Sequence, residues 1–97
     1  IEIIEPLGLQ AMERLSRLGY DNVRVRLGDG YHGWEEHAPY DAILVTAGAP
    51  RIPRPLVEQL APEGRLVLPM GDDETQTLIR LRADRTQRGE LGVAVEP

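Results

Sequence analysis

The chain contains no cysteine, so disulfides and thiolate zinc sites are excluded. It contains no phenylalanine and a single tryptophan, so aliphatic side chains must build the core, with aromatic packing left to Trp34, Tyr20, Tyr31 and Tyr40. Lysine is absent as well, and all 11 basic residues are arginine. They form no long basic cluster, and the net charge is −5, which argues against a nucleic-acid partner. No apolar run is long enough to span a bilayer, so no membrane partner is expected. The opening Ile1-Glu2-Ile3-Ile4 is strand-like rather than a basic leader, and a cytoplasmic location is expected from these features together.

What is present is ordinary globular composition, 41% hydrophobic and 28% charged over 97 residues, enough for one small domain. Residues 1–4 read as a short buried strand. Residues 6–18 read as a helix, with Pro6 in its first turn and Gly19 just past its end. Ala11, Leu15 and Leu18 share a stripe with Met12 beside them. Residues 23–27 alternate with period two, a half-buried strand. A polar loop over 28–39 precedes residues 41–46, whose unbroken apolar middle predicts a strand buried on both faces. After a turn at 47–50, residues 53–60 read as a short helix with Leu56, Val57 and Leu60 inward. Pro62-Glu63-Gly64 is a turn, and residues 65–70 form a strand expected to stop at its proline. Residues 77–83 alternate, with Leu78, Arg80 and Arg82 on one face and Ile79 and Leu81 on the other. A turn over 84–89 and a strand over 90–96 close the chain. This order predicts an α/β sheet, parallel in its first part and finished by an antiparallel hairpin.

Few residues could carry chemistry. In open α/β sheets ligands sit at the carboxyl ends of strands. A carboxylate at Glu2 could accept bonds from both ribose hydroxyls, or be a plain surface acid. Asp29, between Gly28 and Gly30, could accept from an exocyclic amine, or sit in a simple Asp-Gly turn. Trp34 could cover a flat ligand or pack on the sheet edge. His32 and His37, with Glu35 and Glu36 between them, do not have metal-ligand spacing, so no metal is expected. The small residues Thr46-Ala47-Gly48-Ala49-Pro50 leave room at a strand end, or make a tight connection. Gln76, in a second strand-end loop, offers an amide that both donates and accepts. No catalytic triad, carboxylate pair or phosphate loop is present.

Together these pieces resemble the protein-L-isoaspartate O-methyltransferase family from Ile1 to about Gln76, and more weakly to Pro97. The resemblance lies in Gly28-Asp29-Gly30-Tyr31-His32-Gly33-Trp34, Ala38-Pro39-Tyr40-Asp41-Ala42-Ile43 and Thr46-Ala47-Gly48-Ala49-Pro50. It continues in Pro53, Leu56, Gln59-Leu60 and Gly64-Arg65-Leu66-Val67-Leu68-Pro69. It implies a partial Rossmann-like methyltransferase sheet with helices on both faces, lacking the first strand and N-terminal region, with residues 1–97 the C-terminal portion of one domain. It implies S-adenosyl-L-methionine as cofactor, held by Glu2, Ile3, Asp29 and Gly30. It implies an acceptor groove that includes Thr46, Ala47, Ala49, Pro50 and Gln76. The implied reaction is methylation of the free carboxylate of L-isoaspartyl and D-aspartyl residues in damaged proteins and peptides. Departures from the family are the absent glycine-rich loop, the absent Ser/Thr-containing acceptor segment, Gly48 where alanine is more frequent, and the acidic Asp72, Asp73 and Glu74. This length alone is expected to be inactive, and its strand edges left without partners are expected to close on each other, to self-associate or to be completed within a longer folded molecule. The alternatives are a methyltransferase for another acceptor or a non-catalytic α/β interaction module.

Overall fold

The structure is a computed structural model and describes residues 1–85 and 91–96. It divides into two compact units, Ile1–Gly33 and Trp34–Pro97.

The first unit is built on helix α1, Glu5–Arg17. Pro6 lies in the first turn, where its missing N–H is not needed. Glu5 at the start and Arg14 and Arg17 at the end complement the helix dipole. The helix closes on Gly19 at φ 83°, whose N–H donates to the Ser16 carbonyl, while that of Tyr20 donates to Leu15. This is a Schellman ending, and it places the glycine where the sequence predicts it. Leu18 caps the helix but stays 62% exposed, off the inner stripe predicted for it.

Two predicted strands of this unit shrink to one parallel bridge between Glu2 and Leu27. The Glu2 N–H donates to the Arg26 carbonyl at 2.9 Å, and the Gly28 N–H donates to the Glu2 carbonyl at 3.0 Å. Residues 1–4 are therefore not a buried strand. Ile1, Ile3 and Ile4 are exposed, because no described residue supplies a layer to cover them. The predicted half-buried strand at 23–27 contracts to Leu27 for the same reason. Gly8 is buried because Leu27 packs on it: a Cβ there would lie 2.0 Å from Leu27 Cδ2.

The second unit is a four-stranded sheet, β1 Tyr40–Leu44, β2 Leu60–Gly71, β3 Gln76–Arg85 and β4 Leu91–Glu96, in the order β1-β2-β3-β4. β1 runs parallel to β2, and the other pairs are antiparallel. The closing antiparallel pair agrees with the sequence reading. Most of the turn predicted over 84–89, and Glu90 of the last strand, lie outside the described residues.

Between β1 and β2 runs the short helix α2, Arg54–Glu58. Its Leu56 and Val57 join Leu60, Leu66, Leu68, Ile79, Leu81 and Ala83 in one core on one sheet face. The alternation of β3 is as predicted, with Ile79 and Leu81 buried and Leu78 exposed. β1 is not buried on both faces: Leu44 is 72% exposed, because β1 is the edge strand and α2 covers only the other face.

β2 begins earlier than predicted and takes in the turn at Pro62-Glu63-Gly64 as a bulge. Tyr40 pairs with Leu60 and Ala42 with Arg65, so residues 61–64 have no partner on β1, and Glu63 takes a positive φ of 66°. A Cβ on Gly64 would come within 3.0 Å of the Ala61 and Tyr40 carbonyl oxygens, so only glycine fits this bulge. Nor does β2 stop at Pro69. It continues to Gly71, with Pro69 opposite Leu78. Pro69 has no N–H to donate, but its carbonyl accepts from the Ala49 N–H at 3.1 Å, so the strand carries on past it.

Candidate functional site

The residues singled out from the sequence gather in two places, one in each unit. In the first unit, the Glu2–Leu27 bridge carries Glu2 to the start of the Gly28-Asp29-Gly30 turn. Glu2 Oε1 accepts from the Ile4 N–H at 3.1 Å, which orients the carboxylate. Asp29 Oδ1 accepts from the Tyr31 N–H at 2.9 Å and caps the 3-10 turn Gly30–His32. Each carboxylate keeps a second oxygen able to accept from a ligand. Gly28 at φ 153° and Gly30 have nothing within 4 Å of the place a Cβ would take, so the turn is open to close approach. The carboxylate oxygens on this edge can accept from donors such as hydroxyls or an amine. Ile3 is 67% exposed and could lie against a flat apolar surface.

In the second unit, β1 is prolonged beyond Leu44. The Val45 N–H donates to the Val67 carbonyl at 2.9 Å, and the Ala49 N–H to Pro69 at 3.1 Å. The Gly71 N–H donates back to the Ala49 carbonyl at 3.0 Å. Thr46, Ala47 and Gly48 bow out between these anchors and are exposed, as is Pro50. The loop after β2 is tied to the same frame. Asp72 Oδ1 accepts from the N–H groups of Glu74 at 2.9 Å and Thr75 at 2.7 Å. Those two bonds, Thr75 first, hold its carboxyl below the usual range despite full exposure. Gln76 opens β3 opposite Gly71, and its side chain lies against Gly48. The two strand-end loops that the sequence presents separately are thus one surface.

Trp34 and the histidines have local partners. The Trp34 N–H donates to Gln59 Oε1 at 2.9 Å, and the Tyr40 hydroxyl donates to the Trp34 carbonyl. The Trp34 ring meets His37 edge-on, with centroids 4.7 Å apart. This supports packing over ligand cover. Gln59, buried to 9% exposure, is the anchor that the sequence reading misses. Its signal in the sequence was a polar residue set between the apolar Val57 and Leu60 at the end of a short helix. Among the described residues no group of three metal-ligating side chains comes together.

The sequence model of the protein-L-isoaspartate(D-aspartate) O-methyltransferase family matches residues 1–95. The chain belongs to that family. It is 76% identical over 71 residues to protein-L-isoaspartate O-methyltransferase 2 of Polaromonas sp., a match covering 73% of this chain and 34% of that protein. It is 54% identical over 95 residues to the protein-L-isoaspartate O-methyltransferase of Trichlorobacter lovleyi, covering 96% and 44%. The chain therefore spans less than half the length of these methyltransferase relatives. Among solved structures it resembles a protein-L-isoaspartate O-methyltransferase with TM-score 0.70 at 29% identity, over 92% of this chain and 28% of that one. It also resembles a beta-aspartate methyltransferase from Plasmodium falciparum in complex with S-adenosyl-L-homocysteine. That match has TM-score 0.68 at 27% identity and covers 98% and 46% of the two chains. The partial Rossmann-like α/β fold expected from the sequence agrees with both likenesses.

Proposed function

We propose that this chain is the C-terminal portion of a single methyltransferase domain, the part that carries the adenosine contacts and one wall of the acceptor groove of an isoaspartyl methyltransferase. The observation that carries the reading is the pair of oriented carboxylates, Glu2 and Asp29, beside an open glycine turn in a chain of this family. Glu2 would accept from the ribose hydroxyls and Asp29 from the adenine amine, with Ile3 and Gly30 against the ring. When bound, S-adenosyl-L-methionine supplies a methyl group already activated on a sulfonium.

The acceptor is the free carboxylate of an L-isoaspartyl or D-aspartyl residue in a protein or peptide. A carboxylate is a nucleophile at neutral pH, so no base is required of the chain. Its oxygen gains the methyl carbon as the carbon–sulfur bond breaks, leaving an ester and a neutral thioether. The work of the protein is alignment and exclusion of water. Thr46, Ala47, Ala49, Pro50 and Gln76 would shape the groove in which the acceptor lies. The scarcity of acid–base side chains fits that division of labour. This reading keeps the cytoplasmic location expected from the sequence.

On this reading the described residues would contact the adenosine half and would not by themselves align a sulfonium with an acceptor, so the chain by itself is expected to be inactive. The test is methyl transfer to an isoaspartyl peptide by the chain alone and by the chain completed with the part of the Trichlorobacter lovleyi relative that it does not span. Turnover only in the completed protein, and none on the normal aspartyl peptide, is expected. Equal use of both peptides, or no transfer by the completed protein, would contradict the reading.

A further inference from the structure

This inference rests on reading residues 46–50 and 71–76 as the acceptor groove. Gln76 stands on a backbone that has little freedom. Asp72 gathers the N–H groups of Glu74 and Thr75, and its own N–H donates to the Thr75 carbonyl at 3.1 Å. Gly71, at φ 151°, leaves no room for a side chain, since a Cβ would lie 2.0 Å from the Thr75 oxygen. On its other side Gly71 is bonded to Ala49, so the turn at 47–50 and the base of Gln76 belong to one frame.

The Gln76 side chain reaches across that frame. A Cβ on Gly48 would lie 2.0 Å from Gln76 Nε2, 2.7 Å from Cδ and 2.9 Å from Oε1. All three amide atoms occupy the space that any other residue at position 48 would fill. Gln76 is exposed, and its carboxamide makes no hydrogen bond among the described residues. It offers an N–H and a C=O side by side, the complement of one peptide group.

We propose that Gly48 is a positioning residue for acceptor binding: its missing side chain seats the Gln76 carboxamide across the strand-end turn, where the amide pairs with a backbone peptide group flanking the modified residue. The pairing recognises the acceptor's main chain and not its carboxylate. That assignment agrees with the acidic Asp72, Asp73 and Glu74, which are poor neighbours for a second carboxylate.

Gly48→Ala is the direct test. The new methyl group meets the mobile end of a side chain, not backbone, so the fold is retained and the amide swings away. In the completed protein, a nuclear Overhauser contact between the Gln76 side-chain NH2 and the Gly48 α-protons should be present, and Gly48→Ala should abolish it with the strand contacts intact. Titration with an isoaspartyl peptide should shift the Gln76 amide resonances, a binding readout that needs no turnover. The acceptor KM should rise about tenfold in both Gly48→Ala and Gln76→Ala, the loss of one or two hydrogen bonds, with S-adenosyl-L-homocysteine affinity unchanged. A peptide N-methylated at one flanking amide should lose about as much with the native protein and nothing further with either variant. Absence of the Gly48–Gln76 contact overturns the seat. Gln76 resonances that ignore the peptide, or variants that keep the native KM, overturn its role in acceptor binding. Failure of the completed protein to methylate any isoaspartyl peptide sinks the functional reading instead, while the two resonance measurements still judge this one.

Discussion

The two units contain similar apolar side chains and treat them differently. In Trp34–Pro97, Leu60, Leu66, Leu68 and Leu81 are wholly buried, and the core they form rests on one continuous sheet. In Ile1–Gly33, Ile1, Ile3, Ile4, Leu7, Leu9, Leu18 and Tyr20 are each about half exposed or more, and only glycines are buried. Met12, Leu15, Tyr20 and Val23 line an open groove there. The lesson is that apolar content does not stabilise a fold until a facing layer removes it from water. The second unit supplies its own layer through α2, while the first holds its shape with one bridge, a helix and its glycine ending.

Substitution of core leucines should break that contrast most visibly. Leu66→Ala or Leu81→Ala should cost about 2–5 kcal/mol, the usual loss for a buried leucine. Leu18→Ala, at 62% exposure, should stay within about 0.5 kcal/mol. Urea unfolding of the three variants checks this, and comparable losses would mean that the first unit buries its leucines after all.

Gly71→Ala comes next. It forces a side chain into φ 151° against the Thr75 carbonyl, and should cost about 1–3 kcal/mol. Gly19→Ala, at φ 83° with open space around it, should cost less, about 1 kcal/mol. Thermal unfolding that ranks them the other way would show that steric room does not separate the two glycines.

The sequence was most legible where the structure closes on itself. The alternation of Leu78, Ile79, Arg80, Leu81 and Arg82 gave both faces of β3, because one face has a core to meet. Leu56, Val57 and Leu60 were placed inward for the same reason. Residues 1–4 and 23–27 misled, since their patterns record a preference for burial and no described layer satisfies it. Leu44 misled likewise: an apolar run cannot say which strand ends at an edge. The bulge at 61–64 and the run of β2 through Pro69 depend on which neighbour's hydrogen bond is missing, and that is a fact about pairing. The two loops brought together in the second unit were each visible as loops after strands. That Gly48 and Gln76 touch was not, because they lie far apart in sequence.

A smaller effect concerns Asp72. Its folded-state pKa is depressed by the bonds from Thr75 and Glu74, so its contribution to the loop is present above the unfolded value and lost as pH falls through the lower, folded value. The amide resonances of Glu74 and Thr75 should therefore titrate with a midpoint below 3.8. A midpoint at or above that value would show the cap to be absent in solution.

Assignment of the cofactor to the first unit and of the acceptor to the second is tested most directly by one crossed measurement on the completed protein. S-adenosyl-L-homocysteine affinity by calorimetry and KM for an isoaspartyl peptide are determined for Asp29→Ala and for Pro50→Ala. Asp29→Ala should weaken the cofactor analogue by about 1–3 kcal/mol, the loss of a hydrogen bond to a charged group, and leave peptide KM nearly unchanged. Pro50→Ala should do the reverse. Calorimetric affinity that is indifferent to Asp29, with the fold intact, or equal losses in both readouts for both variants, would contradict the account.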